Sequence, residues 1–212
     1  MHTRDLQMKE SITTRFNLLT GSGSLFIVGG IQWFLGILAA ESWYDGYSSR
    51  IDYVSELGIG PTALIYNLSV FTLGAFMVLG AFVLYKSTAK KLLPILVAIS
   101  GIGAMGVGVF PGYMQPMHSI ATMLAIMFGA FAAMASYTYQ TKPMSIISLI
   151  LGSMSLILSI VFIPYLGLPT GSTVTFMGMA KGSLERWAIN PILAWIIGFG
   201  GYLAGSANPD KN

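Results

Sequence analysis

Six stretches of the chain, 20–40, 62–85, 92–111, 117–139, 144–164 and 185–205, are apolar almost without interruption. As helices rising about 1.5 Å per residue, each can cross a hydrocarbon core of about 30 Å. None carries a charged residue in its middle third. In lipid no water satisfies the backbone N–H and C=O groups, so each stretch is predicted to be a helix. The pattern predicts an all-α fold, a polytopic transmembrane bundle of six helices over residues 20–205. An N-terminal segment, 1–19, and a tail, 206–212, flank it. The small residues at Leu38-Ala39-Ala40 would suit a signal-peptide cleavage site. The apolar run before them is too long for that, so the first stretch is an anchor.

Composition closes off the alternatives. Of 212 residues, 54% are hydrophobic and 9% charged, and the mean hydropathy is +0.71. An ordinary soluble domain is about 25% charged, so a soluble globular fold, a disordered chain and a coiled coil are excluded. There is no cysteine, which excludes disulfides, thiolate metal sites and a cysteine nucleophile. The two histidines are His2, in the N-terminal segment, and His118, so no bis-histidine haem is expected within the bundle. No ionisable residue lies at the middle of a span, which argues against a proton pump, a voltage sensor or a proton-coupled transporter.

The net charge of +3 belongs to membrane orientation, and no nucleic-acid partner is expected. Arg4, Lys9, Arg15, Lys86, Lys90, Lys91, Lys142 and Lys211 fall on one side of the six-span topology; Arg50, Lys181 and Arg186 fall on the other. By the positive-inside rule both termini are cytoplasmic and the protein is a multi-pass component of the cell membrane. Trp43, Tyr44, Tyr47, Tyr85, Tyr113, Tyr137, Tyr139, Tyr165 and Trp187 lie near span ends, where an interfacial aromatic belt belongs.

Small residues predict close helix packing. Gly101, Gly103, Gly106 and Gly108 stud the third span, and Gly201 and Gly205 form a small-xxx-small pair in the sixth. Packing within the chain is the first expectation for both sets, and a homo-oligomer interface the second. The polar residues inside spans, Gln32, Asn67, Ser153, Ser155 and Ser159, are expected to hydrogen-bond between helices.

Candidate chemistry is one-sided. Five of the eight acidic residues, Glu41, Asp45, Asp52, Glu56 and Glu185, fall on the outer side, together with Arg50, Lys181, Arg186 and His118. Ser49-Arg50-Ile51-Asp52 resembles a capping box. Ile51, Val54 and Leu57 form an apolar stripe, Gly58 is placed as a C-terminal cap and Pro61 as a stop. These features predict a short interfacial helix, about 50–57, in the first outer loop. Asp52, Ser55 and Glu56 would share one face of it, opposite His118 at the start of the fourth span and Glu185 or Arg186 at the start of the sixth. Two carboxylates, a hydroxyl, an imidazole and a guanidinium in one low-dielectric pocket suffice for acid–base or hydrolytic chemistry.

Asp52, Ser55, Glu56 and His118 are the candidate catalytic residues, and Arg50, Glu185 and Arg186 the candidate ligand-binding ones. Each also has a structural use. Asp52 can cap its helix, Glu56 can pair with Arg50, and Arg186 can reach Asn190 or clamp a loop-one acid across the bundle. The acids and His118 are hard or borderline metal ligands, but no HExxH, HxxxH or EF-hand spacing is present, so no metal and no cofactor is expected.

Three short motifs occur in order: Asp52-Tyr53-Val54-Ser55-Glu56-Leu57-Gly58, the turn Phe110-Pro111-Gly112 leading to His118, and Gly182-x-x-Glu185-Arg186. Together they resemble the domain of unknown function 998 family of small six-span membrane proteins, over about residues 20–205. The resemblance implies the six-span fold and singles out Asp52, Ser55, His118, Glu185 and Arg186 as shared polar positions. It implies no activity. Lipid phosphatases and seven-span ceramidase-like hydrolases carry multi-histidine patterns that are absent here.

The expected surroundings are the lipid bilayer, and three functional readings follow. The first is an outer-face site that binds or processes a lipid-like amphiphile, with Arg186 engaging an anionic head group. The second is a non-catalytic accessory subunit with a membrane-protein partner. The third is a small channel or uniporter whose acidic vestibule concentrates cations. The residues leave open whether the protein is an enzyme.

Overall fold

The computed structural model describes residues 2–169 and 171–206, with side chains from residue 13 onward. Lys211 and the side chains of Arg4 and Lys9, which the orientation argument uses, lie outside the described residues, as does the side chain of His2. Six helices make the fold: α1 His2–Ser42, α2 Ala63–Ser87, α3 Leu92–Val109, α4 Met117–Ala135, α5 Met144–Phe162 and α6 Lys181–Gly205. All six are long and apolar enough to span a membrane. Their bounds follow the hydropathy pattern closely, with two differences. α1 continues as helix back through the segment expected to precede the bundle, and α6 starts one turn early, at Lys181.

Each helix packs on its neighbours in sequence, and α6 closes the ring against both α5 and α1. Neighbours run antiparallel, so the even number of spans brings the first span's start and the end of α6 together, with Gly23 against Gly200. Residues 43–62, 110–116, 163–169 and 171–180 gather at the other end, called here the mouth. There a two-stranded hairpin pairs Thr175–Phe176 with Met179–Ala180.

Aromatic residues fill the interior. Trp195 and Phe26 flank Phe199 at ring-centroid distances of 5.5 and 6.2 Å, and Trp33 meets Tyr66 edge-on at 5.2 Å. The Trp195 indole N–H donates to Ser136 Oγ at 2.9 Å. Lipid supplies no hydrophobic drive between helices, so close backbone approach and polar bridges hold the ring. A Cβ on Gly103 would sit 2.4 Å from the Ala125 amide nitrogen, and one on Gly23 would sit 2.4 Å from the Gly200 carbonyl oxygen. Gly201 and Gly205 differ from the expectation: a Cβ on either meets nothing within 4 Å.

The polar residues inside the spans divide. Gln32 donates to Ser69 O on α2 at 2.9 Å, and Ser155 to Ala188 O on α6 at 2.6 Å. Ser153 reaches Met134 Sδ on α4 at 3.6 Å. Asn67, however, donates to Gly58 O in the first loop at 2.9 Å, and Ser159 bonds back to Ser155 O of its own helix at 2.7 Å.

Gly103→Val forces α3 off α4 and is expected to cost about 1–3 kcal/mol by overpacking. Gly201→Val should stay within about 0.5 kcal/mol of the parent, as a change in open space does. Thermal unfolding of both variants in a mild detergent checks the pair.

Candidate functional site

The mouth is organised by the first loop lying across the first turn of α6. Gly182 makes this crossing possible: a Cβ there would stand 2.2 Å from Asp52 O, 2.9 Å from Ser49 O and 3.0 Å from Arg50 O. Ser183 donates its backbone N–H to Arg50 O at 3.1 Å. One turn further, the Arg186 guanidinium donates to Ser49 O at 2.6 Å and Asp52 O at 3.3 Å. It also donates to the Tyr47 hydroxyl and to a Glu41 carboxylate oxygen, both at 2.5 Å. Burial raises the Tyr47 pKa, so this hydroxyl keeps its proton and donates a hydrogen bond to Tyr53 O at 3.0 Å. The expected clamp between Arg186 and a loop-one acid is therefore present. Its acid is Glu41 at the end of α1, and Asn190 is exposed and plays no part.

The first loop does not form the expected α-helix over 50–57. Its ordered turn is a 3₁₀ helix, Val54–Gly58, with Val54 and Leu57 buried. The acid that caps its first turn is Glu56, whose Oε2 accepts the Tyr53 N–H at 3.1 Å. Asp52 instead closes the preceding turn, accepting the Ser48 N–H at 2.9 Å. A serine three residues before an acid was a sound capping signal, but the Ser183 N–H and Arg186 hold the Ser49, Arg50 and Asp52 carbonyls and leave them no freedom to start a helix there.

Glu56 does not pair with Arg50. Its other carboxylate oxygen meets Lys181 Nζ at 2.9 Å. Lys181 is fully buried, lies 4.0 Å above the Tyr53 ring and donates to Pro169 O at 3.1 Å. Tyr53, with its pKa pushed up to about 12 by burial, donates to Tyr165 O and accepts the Leu168 N–H at 3.1 Å. This pair ties the 163–169 segment to the first loop. Arg50 is exposed and reaches Gly178 O at 3.4 Å.

Beneath this framework is a cavity of about 480 Å³ between the first loop, α4, α5 and α6. Ser55, Glu56, His118 and Glu185 line it, joined by Thr122 and Ser159. Its apolar wall includes Met123, Ile126, Met127 and Phe162. A smaller chamber of about 80 Å³ continues inward between α1, α2, α3, α4 and α6, sharing Ser55, Thr122, Ile126 and Glu185 with the first.

His118 is oriented by the Phe110-Pro111-Gly112 turn. Its Nδ1 lies 2.7 Å from Phe110 O. A carbonyl only accepts, so Nδ1 carries the proton and the neutral ring keeps its lone pair on Nε2. Glu185 is 4% exposed. Its carboxylate accepts the Val54 N–H at the start of the 3₁₀ helix, and among the described residues it makes no ion pair. Thr122 Oγ1 is buried without a hydrogen-bond partner.

Of the seven sequence-predicted site residues, the cavity brings together Ser55, Glu56, His118 and Glu185. Asp52, Arg50 and Arg186 are not in its lining, and Asp52 and Arg186 are engaged in the framework. Reasoning from sequence missed Thr122, Ser159 and Lys181. Thr122 stands four residues after His118 on α4, so the helical period could have found it. Nothing local marks Lys181 as the partner of Glu56. Among the described residues no cluster of three or more His, Asp or Glu side chains is placed to hold a metal ion.

A family model described as "protein of unknown function (DUF998)" matches residues 27–202. No curated protein and no solved structure matches the chain.

Arg186→Ala would leave Glu41 and the loop carbonyls without their donor at a partly buried site, at a cost of about 1–3 kcal/mol. Arg186→Lys should recover only part of that, because one ammonium cannot reproduce the planar fork. Unfolding midpoints for the parent and both variants, in one detergent, give the order.

Proposed function

We infer from the geometry of this chain, which belongs to the DUF998 family of proteins of unknown function, that its mouth cavity binds a lipid-like amphiphile. The observation carrying this reading is a cavity lining made of two kinds of side chain. Ser55, Glu56, His118, Thr122, Ser159 and Glu185 supply polar groups, and Met123, Ile126, Met127 and Phe162 supply apolar ones. A polar metabolite would leave the apolar wall unmatched, and a plain hydrocarbon would leave the buried polar atoms unpaired. A molecule with a polar head and an apolar tail satisfies both. The volume of about 480 Å³ falls within the usual range of about 300–1,000 Å³ for small-molecule sites.

The six spans make the chain a multi-pass membrane protein. The positive-inside bias of the short loops favours placing the cavity at the outer leaflet, with both termini in the cytoplasm. The amphiphile then enters from the leaflet it already occupies. His118 is the residue through which turnover would run. Its Nδ1–H is committed to Phe110 O, so its Nε2 can accept a proton from a bound head group.

Native mass spectrometry of protein extracted gently from its own membrane tests the reading. A lipid-sized mass should accompany the parent and Asp52→Asn, since Asp52 closes a turn and does not line the cavity. Met123→Trp, which fills the apolar wall, should lose it. Equal retention by Met123→Trp would overturn the reading. So would a stoichiometric protein partner with no small ligand, which is the signature of an accessory subunit.

A further inference from the structure

We propose that the cavity selects amphiphiles whose head group is a primary ammonium, a hydrogen-bond donor carrying positive charge, over phosphate or carboxylate head groups. The proposal rests on the amphiphile reading above and adds the chemistry of the head.

The polar lining has largely committed its protons to the protein itself. His118 Nδ1–H is committed to Phe110 O. Ser159 donates to Ser155 O at 2.7 Å, Ser119 to Gln115 Oε1 at 2.6 Å, and Gln115 Nε2 to Gly112 O at 3.0 Å. Tyr53 donates to Tyr165 O. What these groups can still offer a ligand is mainly lone pairs, Nε2 of His118 and the hydroxyl oxygens of Ser119 and Ser159, with the second amide N–H of Gln115 the one donor left among them. Ser55 and Thr122 keep hydroxyls that can serve in either role.

Charge points the same way. The ionisable lining residues apart from His118 and Tyr53 are Glu56 and Glu185; no lysine or arginine is among the lining. The two basic side chains nearest in sequence to Glu185 are engaged elsewhere, Lys181 by Glu56 and Arg186 by Glu41. Glu185 is 4% exposed, and its carboxylate is held by the Val54 N–H without an ion pair among the described residues. A buried carboxylate gains most from a partner that supplies both a counter-charge and N–H donors. A primary ammonium brings three N–H donors and no acceptor, which is the complement of this lining. A phosphate head would bring acceptors to acceptors and a second negative charge beside Glu185. This revises the expectation that Arg186 recognises an anionic head, because its guanidinium is occupied by Glu41, Tyr47 and the loop carbonyls.

Binding of three probes sharing one dodecyl tail, dodecylammonium, dodecyl maltoside and dodecyl phosphate, to the full chain in phosphatidylcholine nanodiscs tests this. Dodecylammonium should bind the parent at least about tenfold more tightly than dodecyl phosphate. Glu185→Gln keeps a carbonyl for the Val54 N–H but removes the charge, and should bring that ratio below about threefold. Should that variant fail to fold, the ratio measured on the parent still decides. Thr122→Val, nearly isosteric, should then weaken dodecylammonium more than dodecyl phosphate. Equal affinities for the three heads, or a preference for phosphate, would overturn the head-group assignment and leave the amphiphile reading standing. No binding of any probe would overturn the amphiphile reading beneath it. Dodecylammonium binding that survives Met123→Trp would place it outside the cavity and overturn the proposal.

Discussion

The mouth of the bundle depends on one crossing, where the backbone of residues 49–54 lies on the first turn of α6. A loop at a membrane boundary carries carbonyls and N–H groups that lipid cannot satisfy. Here α6 satisfies them residue by residue. Gly182 gives the carbonyls room, Ser183 donates to Arg50 O, Glu185 accepts from Val54, and Arg186 gathers Ser49 O and Asp52 O. Four consecutive tasks need no side chain, an N–H, an acceptor and a forked donor in that order along one helical turn. The motif Gly182-x-x-Glu185-Arg186 is therefore a docking surface for the chain's own loop before it is anything else.

The same economy decides where charge is allowed. Lys181 is fully buried, yet it has a carboxylate, an aromatic face and backbone oxygens around it. Arg186 is as fully engaged. Both cations serve as fasteners, one joining α6 to α1 and the first loop, the other joining the first loop to the segment after α5. A buried pair of this kind adds little net stability over an apolar substitute, but removing one partner is costly. Its contribution here is register. It fixes which turn of the first loop faces inward, and so which residues line the cavity.

Much of this was legible in the sequence. Span bounds were readable because hydropathy over some twenty residues is a property of the membrane as solvent, not of tertiary detail. The Arg186 clamp was readable because an arginine at a span end needs a partner and the acids were gathered on its side. The pairing of Lys181 with Glu56 was not readable. The two stand 125 positions apart, and no local period links them. The first loop was misread as an α-helix for a related reason. Its capping signal is real in isolation, but the carbonyls that would begin the helix are already held by α6. The cavity itself was readable only as a set of residues. Ser55, His118 and Glu185 were expected together, whereas Thr122 on the inner side of His118 emerged from the packing.

Glu185 is where framework and cavity meet, and this sets what the site can do. As part of the docking turn it must be an acceptor, since Val54 gives it an N–H. As part of the cavity wall it lines, with Ser55 and Thr122, both the cavity and the inner chamber. A residue needed only for docking could lie outside the cavity lining, as Asp52 does. Placing a carboxylate inward, with the neighbouring cations engaged elsewhere, leaves it short of a partner in the one direction a ligand can approach. His118, with its proton turned away to Phe110 O, adds a second acceptor in the same cavity. The framework thus engages Lys181 and Arg186 at the rim, and Glu185 and His118 remain as acceptors inside.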